Sequence, residues 1–193
     1  MKKHQLAFID IETTGLDMEK HEIIQLGVIL VEQSWPARQS LGVGGGKDGK
    51  PAYEILDELE LKIKPERLHL ADKVALKING YNEADWALAY NLKEAMAIFS
   101  EKTKDAIMVA HNVAFDFCFL TKAFSVTGVE NKMHFHKLDT ISIAFAKLHL
   151  KEGVDRFSLQ FLCDHFGIEN KNAHTALSDC RATFELYKKL MSL

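Results

Sequence analysis

The amino-acid sequence predicts an α/β fold, a meander of three strands followed by strands that alternate with helices. Three observations carry this reading. Apolar residues run nearly unbroken or in alternation through three early segments; after residue 90 they recur at helical spacing; and between the later helical stretches lie short apolar runs, 106–110 and 135–138.

The first strand opens with Leu6, Phe8, Ile9 and Ile11, apolar on both faces as in a buried strand, and is interrupted by Asp10 and Glu12. Side chains alternate across a strand, so both carboxylates point to the same side, and Thr13-Thr14-Gly15 end the run. Two like charges on one face of a buried strand end are destabilising unless water, a cation or a partner compensates them. A bare Asp-x-Glu is also an ordinary accident in a chain this acidic. A second one, Asp17-Met18-Glu19, has no apolar flanks. The pair alone therefore leaves a metal site and a solvated strand end both open.

Residues 23–33 read as the second strand and 53–64 as the third, with Ile55, Leu59, Leu61 and Ile63 in alternation. Between them the glycine-rich stretch 42–51 predicts a mobile hairpin loop. It is not a phosphate loop, because Lys47 is followed by Asp48 where that loop needs a hydroxyl. Pro65 stops the third strand, and 70–78 predicts a short helix closed by Asn79-Gly80. Trp86 and Tyr90 read as core or lid residues. A longer helix starts at Asn91, which forms a capping box with Glu94 and is followed by a stripe of Leu92, Ala95, Met96 and Phe99.

The run 106–110 predicts a fourth strand that leads through His111 and Asn112 into a helix carrying Phe117, Leu120 and Phe124. Asp116 falls in the first turn of that helix. It either complements the helix dipole or, being near the carboxyl end of a strand, faces a ligand. The strand at 135–138 leads into Asp139, read as the N-cap of a helix to about His149, and His134-x-His136 reads as surface or core decoration. Ser158 and Gly167 bracket a helix over 158–166. The last helix runs from about Thr175, with a stripe of Leu177, Cys180, Phe184, Tyr187 and Met191. His174 and Asp179 are five positions apart, about 500° on a continuous helix, so they share no face and His174 is placed on the preceding loop.

A length of 193 residues, 47% hydrophobic and 26% charged, predicts one domain over 1–193. The apolar run after the N-terminus is too short for a signal peptide and no stretch is long enough to span a bilayer, so a cytoplasmic protein with no membrane association is expected. Cys118, Cys163 and Cys180, odd in number and set in apolar helical patterns, predict reduced core thiols. A net charge of −3 excludes the overall basic coat that grips duplex DNA, but not the binding of one strand end.

Collected, the candidates are Asp10, Glu12, Asp116 and Asp179 with His174. Four converging carboxylates would repel one another and carry raised pKa values unless hard cations neutralise them, and all-oxygen ligation suits Mg²⁺ or Mn²⁺. Two such ions can clamp the attacking and leaving oxygens of a phosphoryl displacement, and a histidine titrating near neutrality can take the proton of the attacking water.

These residues also resemble the DnaQ-like (DEDD-type) 3′–5′ exonucleases, in the branch with a histidine in the third motif. Phe8-Ile-Asp-Ile-Glu-Thr-Thr-Gly-Leu16 is similar to the first motif, His111-Asn-Val-Ala-Phe-Asp116 to the second and His174-Thr-Ala-Leu-Ser-Asp179 to the third; 75–80 also looks like a family segment. The resemblance implies a ribonuclease H-like fold, with a five-stranded mixed sheet flanked by helices. It further implies that Asp10, Glu12, Asp116 and Asp179 hold two Mg²⁺ or Mn²⁺ ions, Glu12 serving in catalysis as well. By the same carry-over His174 is the general base, and Thr13, Thr14, Leu16 and Asn112 bind the terminal nucleotide. The implied partner is a single-stranded DNA or RNA 3′ end. The glycine-rich stretch is a departure from the family pattern, and substrate preference stays open. With Leu193 the last residue, a standalone nuclease or a homodimer is expected, a polymerase partner remaining open. A catalytically silent binding module of the same fold is the alternative.

Overall fold

A computed structural model of the chain describes residues 4–34, 51–170 and 175–193. Its strands are β1 (Leu6–Thr13), β2 (Ile23–Ser34), β3 (Ala52–Lys62), β4 (Ile107–Ala110) and β5 (Lys137–Asp139), joined in one mixed sheet of order β3-β2-β1-β4-β5. β1 pairs antiparallel with β2 and parallel with β4; β2 and β3 are antiparallel, β4 and β5 parallel. The helices are α1 (Lys73–Ile78), α2 (Leu92–Lys102), α3 (Val113–Thr127), α4 (Thr140–Leu148), α5 (Leu159–Phe166) and α6 (Ala176–Met191).

β1 is apolar on both faces because it lies at the centre of the sheet with a helical layer on each side. Ala7, Ile9 and Ile11 pack with Ala95, Met96 and Phe99 of α2 and Phe119, Leu120 and Ala123 of α3. Leu6 and Phe8 face the other way, onto Cys180, Phe184 and Tyr187 of α6. The ring of Phe8 lies 4.9 Å from that of Phe184 and 5.3 Å from that of Tyr187, spacings at which aromatic pairs add about 0.5–1.5 kcal/mol to plain burial. The opposite flank of α6 carries Leu186 and Leu190 into a third cluster with Ala144, Leu148 and Leu162, which docks α4 and α5. The capping box at Asn91 and Glu94 is formed, and Asp139 caps α4 by accepting from the Ile141 N–H.

Several elements depart from the sequence reading. β3 does not alternate regularly: its pairing with β2 slips between Leu30 and Val31, and Leu56 is the extra residue of the bulge. Tyr53 consequently faces α6, as Glu58 does in its ion pair with Arg181, whereas Leu59 and Leu61 face the α2 side and Ile55 is exposed. The helix expected over 70–78 is a 3₁₀ turn at Leu68–Leu70 followed by α1, because the Asp72 side chain accepts from the Val74 N–H and starts the helix there. β5 begins at Lys137, leaving Phe135 exposed. Trp86 is core, its Nε1–H donating to the Ile24 carbonyl at 2.9 Å, while Tyr90 is exposed. Cys163 and Cys180 are buried thiols as expected, but Cys118 is exposed, since α3 buries a face containing Asp116, Phe119, Leu120 and Ala123 and Cys118 falls outside it. The glycine-rich expectation falls on residues outside the described ones, apart from Pro51. Among the described residues no helix is long and apolar enough to cross a membrane.

Candidate active site

The carboxyl end of β1 brings the acids together. Asp10 and Glu12 point to one side of the strand, and α6 delivers Asp179 to the same place, so that each of the three offers an oxygen within 4.8 Å of the others. The approach of α6 depends on the strand opposite. In register, Asp10 faces Gly27 and Glu12 faces Gln25. A Cβ on Gly27 would lie 2.5 Å from the Ala176 carbonyl carbon and 2.7 Å from the Leu177 nitrogen, so only glycine lets the helix start sit on β2. The buried Gln25 side chain then accepts from the Ala176 N–H at 3.1 Å, satisfying one of the free donors of the helix.

Asp116 reaches the corner from α3 and is only 3% exposed. The ladder between β1 and β4 ends at Phe8 and Val109, and beyond it the Ile11 N–H donates to Asp116 Oδ1 at 3.1 Å. α3 itself starts from Asn112 in the left-handed region (φ 70°), whose backbone N–H donates to Asp139 Oδ1 at 3.2 Å. Asp139 thus ties together the starts of α3 and α4.

Crowding and burial leave these carboxylates poorly compensated. Burial first, then the charges of Asp116, Asp179 and Glu12, push the Asp10 carboxyl well above its ordinary range. Burial and then Asp179 raise Glu12 to about 7. Asp116 is raised to about 8 by burial, which outweighs its hydrogen bonds to backbone N–H groups, its own and that of Ile11; Glu12 and Asp139 add to the rise. Acids that are costly to ionise and whose oxygens converge are a fit for a hard divalent cation, and the donor set is all oxygen.

His111 is a strut. Its Nε2–H donates to the Phe157 carbonyl at 2.9 Å, its Nδ1 meets Thr140 Oγ1 at 2.9 Å, and burial holds its pKa below the usual histidine value. The neutral ring joins the end of β4 to α4 and to the start of α5. Thr13 and Thr14 are buried, Thr14 to 1% exposed; the Thr13 hydroxyl donates to the Gly15 carbonyl and that of Thr14 accepts from the Glu22 N–H. What this corner presents outward is Leu16, 83% exposed. Beside it, Asn79 Nδ2–H donates to the Thr13 carbonyl and the Asp72 N–H to the Thr14 carbonyl, which pins α1 with its exposed Val74 and Ile78. His174 lies outside the described residues. A cavity of about 270 Å³ lined by His21, Ile23, Ile63, Arg67, Leu92 and Phe119 contains none of the four acids.

Sequence reasoning does not single out Gln25, Gly27 or Asn170, and it reads Asn79 only as the close of a short helix and part of a family segment. Gln25 carries a signal, as the polar side chain inside the otherwise apolar run 23–31. Asn170, whose Nδ2–H donates to Asp179 Oδ1 at 2.7 Å, carries none.

The family model RNase_T, described as exonuclease, matches residues 7–187. The chain is 26% identical over 189 residues to the PolC-type DNA polymerase III of Caldanaerobacter subterraneus subsp. tengcongensis, covering 97% of this chain and 12% of that one. It is 28% identical over 191 residues to the DNA polymerase III subunit epsilon of Aquifex aeolicus, covering 95% and 78%. Among solved structures, E. coli exonuclease I in complex with a dT13 oligonucleotide has a similar fold, with a TM-score of 0.73 at 20% identity over 97% of this chain and 41% of that one.

Proposed function

The chain belongs to the DnaQ-like exonuclease family and has its ribonuclease H-like fold, and from that premise we propose that it trims single-stranded nucleic acid from the 3′ end, releasing nucleoside 5′-monophosphates. The observation that carries this reading is the convergence of the Asp10, Glu12 and Asp179 oxygens within 4.8 Å at the end of β1, beside the buried Asp116. A silent binding module would have no use for acids held at such electrostatic cost. DNA is favoured over RNA because relatives that match along the chain are DNA polymerase components, and exonuclease I has been solved with an oligo-dT single strand. The polymerase relatives keep a polymerase partner in view.

In this reading Asp10, Glu12, Asp116 and Asp179 hold Mg²⁺ or Mn²⁺, two ions together. What the cations supply is charge stabilisation of the entering and leaving oxygens of an in-line displacement. The residues of the chain do the rest. Leu16 projects from the pinned 13–16 turn against the terminal base, Val74 and Ile78 extend that apolar wall, and Thr13 and Thr14 hold the turn in place. Asn112, exposed at the start of α3, joins them in binding the terminal nucleotide. His174 takes a proton from the attacking water; the new bond joins the water oxygen to phosphorus, the bond from phosphorus to the 3′ oxygen of the preceding nucleotide breaks with its electron pair going to that oxygen, and the oxygen takes up a proton from solvent to leave as the 3′ hydroxyl.

A 5′-labelled single-stranded oligonucleotide should shorten stepwise with Mg²⁺ or Mn²⁺ and stay intact with chelator. Immediate release of the 5′ label, or equal degradation under chelation, would sink the proposal. His174→Ala should lower kcat by ~10²–10⁴-fold while the rise in melting temperature on adding Mn²⁺ persists.

A further inference from the structure

We propose that Asn170 is a positioning residue for Asp179, holding that carboxylate in the orientation from which it meets a cation; this rests on the reading of the acidic corner as a divalent-metal site. Asp179 sits in the first turn of α6, where the helix dipole and free N–H groups draw an acid back toward the helix start. Asp10 and Glu12 also repel it. Both forces turn the side chain away from the strand end.

The Asn170 amide opposes both. Its Nδ2–H donates to Asp179 Oδ1 at 2.7 Å, a short distance of the kind seen when the acceptor is charged. The amide can face either way in principle, and the carboxylate, which only accepts, decides which: the NH₂ faces Asp179, and the Ser178 hydroxyl, which can donate, gives its proton to Asn170 Oδ1 at 2.9 Å. The result is a directed chain, Ser178 to Asn170 to Asp179, linking the segment after α5 to the metal-facing acid. Asparagine suits this place for a physical reason. A lysine or arginine would donate as well but would bring a positive charge into competition with the cation, and an aspartate would donate nothing and add to the repulsion.

The test uses the full chain and Mn²⁺ as probe, with binding read by calorimetry and by the Mn²⁺-induced rise in melting temperature. Asn170→Ala should weaken Mn²⁺ binding roughly tenfold, at the lower end of what losing a ligand's outer hydrogen-bond partner costs a metal site. The Mn²⁺ concentration for half-maximal turnover should rise in step, with the rate at saturating Mn²⁺ near wild type. Ser178→Ala should weaken binding in the same direction but less, and the double variant should bind no worse than Asn170→Ala, because Ser178 acts only through Asn170. A purely structural role would instead lower the metal-free melting temperature and leave Mn²⁺ affinity alone. Should Asn170→Ala fold poorly, Ser178→Ala, which keeps the asparagine, carries the measurement. Unchanged Mn²⁺ affinity in both single variants, or effects that simply add in the double variant, would overturn the proposal. Asp10→Asn is the control: if it binds Mn²⁺ as wild type does, the cation is not at this corner and the underlying reading falls along with the inference.

Discussion

α3 and α6 each bring one carboxylate to the end of β1 from their first turn, Asp116 and Asp179, and the chain holds the two by different means. Asp116 is tied by main chain: the Ile11 N–H donates to it where the β1–β4 ladder stops. Asp179 is placed in part by side chains and by a missing one. Gln25 caps Ala176, Gly27 leaves room for the helix start, and the Asn170 amide donates to the carboxylate. A backbone donor cannot be deleted by point mutation, whereas each device around α6 can. The α6 side should therefore be where single substitutions disturb the site without erasing an acid.

The largest such effect should come from Gly27→Ala. The added methyl would meet main-chain atoms of Ala176 and Leu177 that have no side-chain freedom to yield, so α6 must move outward as a body. Overpacking of this kind costs about 1–3 kcal/mol, and in a chain of this size that lowers the melting temperature by roughly 2–4 °C per kcal/mol. Because the shift carries Asp179 away from Asp10 and Glu12, the stabilisation by Mn²⁺ should shrink as well. Gly27→Ala melting like wild type with unchanged Mn²⁺ stabilisation would show that α6 is not set by this close approach.

The α3 side is better probed through charge. Asp116 and Glu12 have folded-state pKa values of about 8 and about 7, above the ordinary carboxylate range, so between roughly pH 4 and pH 8 the folded state binds more protons than the unfolded one. Stability from this source is complete below the unfolded values and is lost as pH rises through the folded ones. Metal-free protein should accordingly melt lower at pH 8 than at pH 5, by about 5 °C or more, and Mn²⁺ should abolish most of that slope. Asp116→Asn keeps an acceptor for the Ile11 N–H and removes the charge, so the metal-free variant should melt above wild type at pH 8 while losing turnover. If the metal-free melting temperature is flat or rises from pH 5 to pH 8, the acids are not strained as described.

How much of this was legible depends on the range of the pattern that encodes it. Asp10 and Glu12 stand out because period-two alternation and apolar flanks put both on one face, and Asp116 because a strand, a turn and a helix start follow in order. The order of the meander and the capping box at Asn91 are likewise local. The bulge at Leu56 is a property of pairing with β2 and leaves no mark within β3 itself, which is why Ile55 reads as inward and is not. Cys118 reads as core because α3 is apolar around most of its circumference, while only one side is covered. Asn170 bonds a residue nine positions on, in the next helix, and no periodicity connects them. Gly27 lies unmarked within the apolar run of β2, and its purpose appears only when the backbone of α6 is seen against it.

The smallest effect, and the one that best separates conformation from contact, concerns Asn112. It starts α3 at φ 70°, makes no side-chain cap, and is exposed. Asparagine tolerates the left-handed region, alanine pays about 1–2 kcal/mol there, and glycine pays nothing but adds freedom to the unfolded chain. Asn112→Ala should thus lower the melting temperature by roughly 2–8 °C, and Asn112→Gly should change it by no more than about 2 °C. The two variants lack the same amide, so any role of that amide toward the substrate should raise KM about equally in both, whatever their stability. A KM that rises only in Asn112→Ala would place the contribution of this residue in the backbone turn that aims Asp116, and would remove Asn112 from the nucleotide-binding set. A rise in both, with Asn112→Gly as stable as wild type, would show that the start of α3 touches the nucleic acid through a side chain the fold does not need.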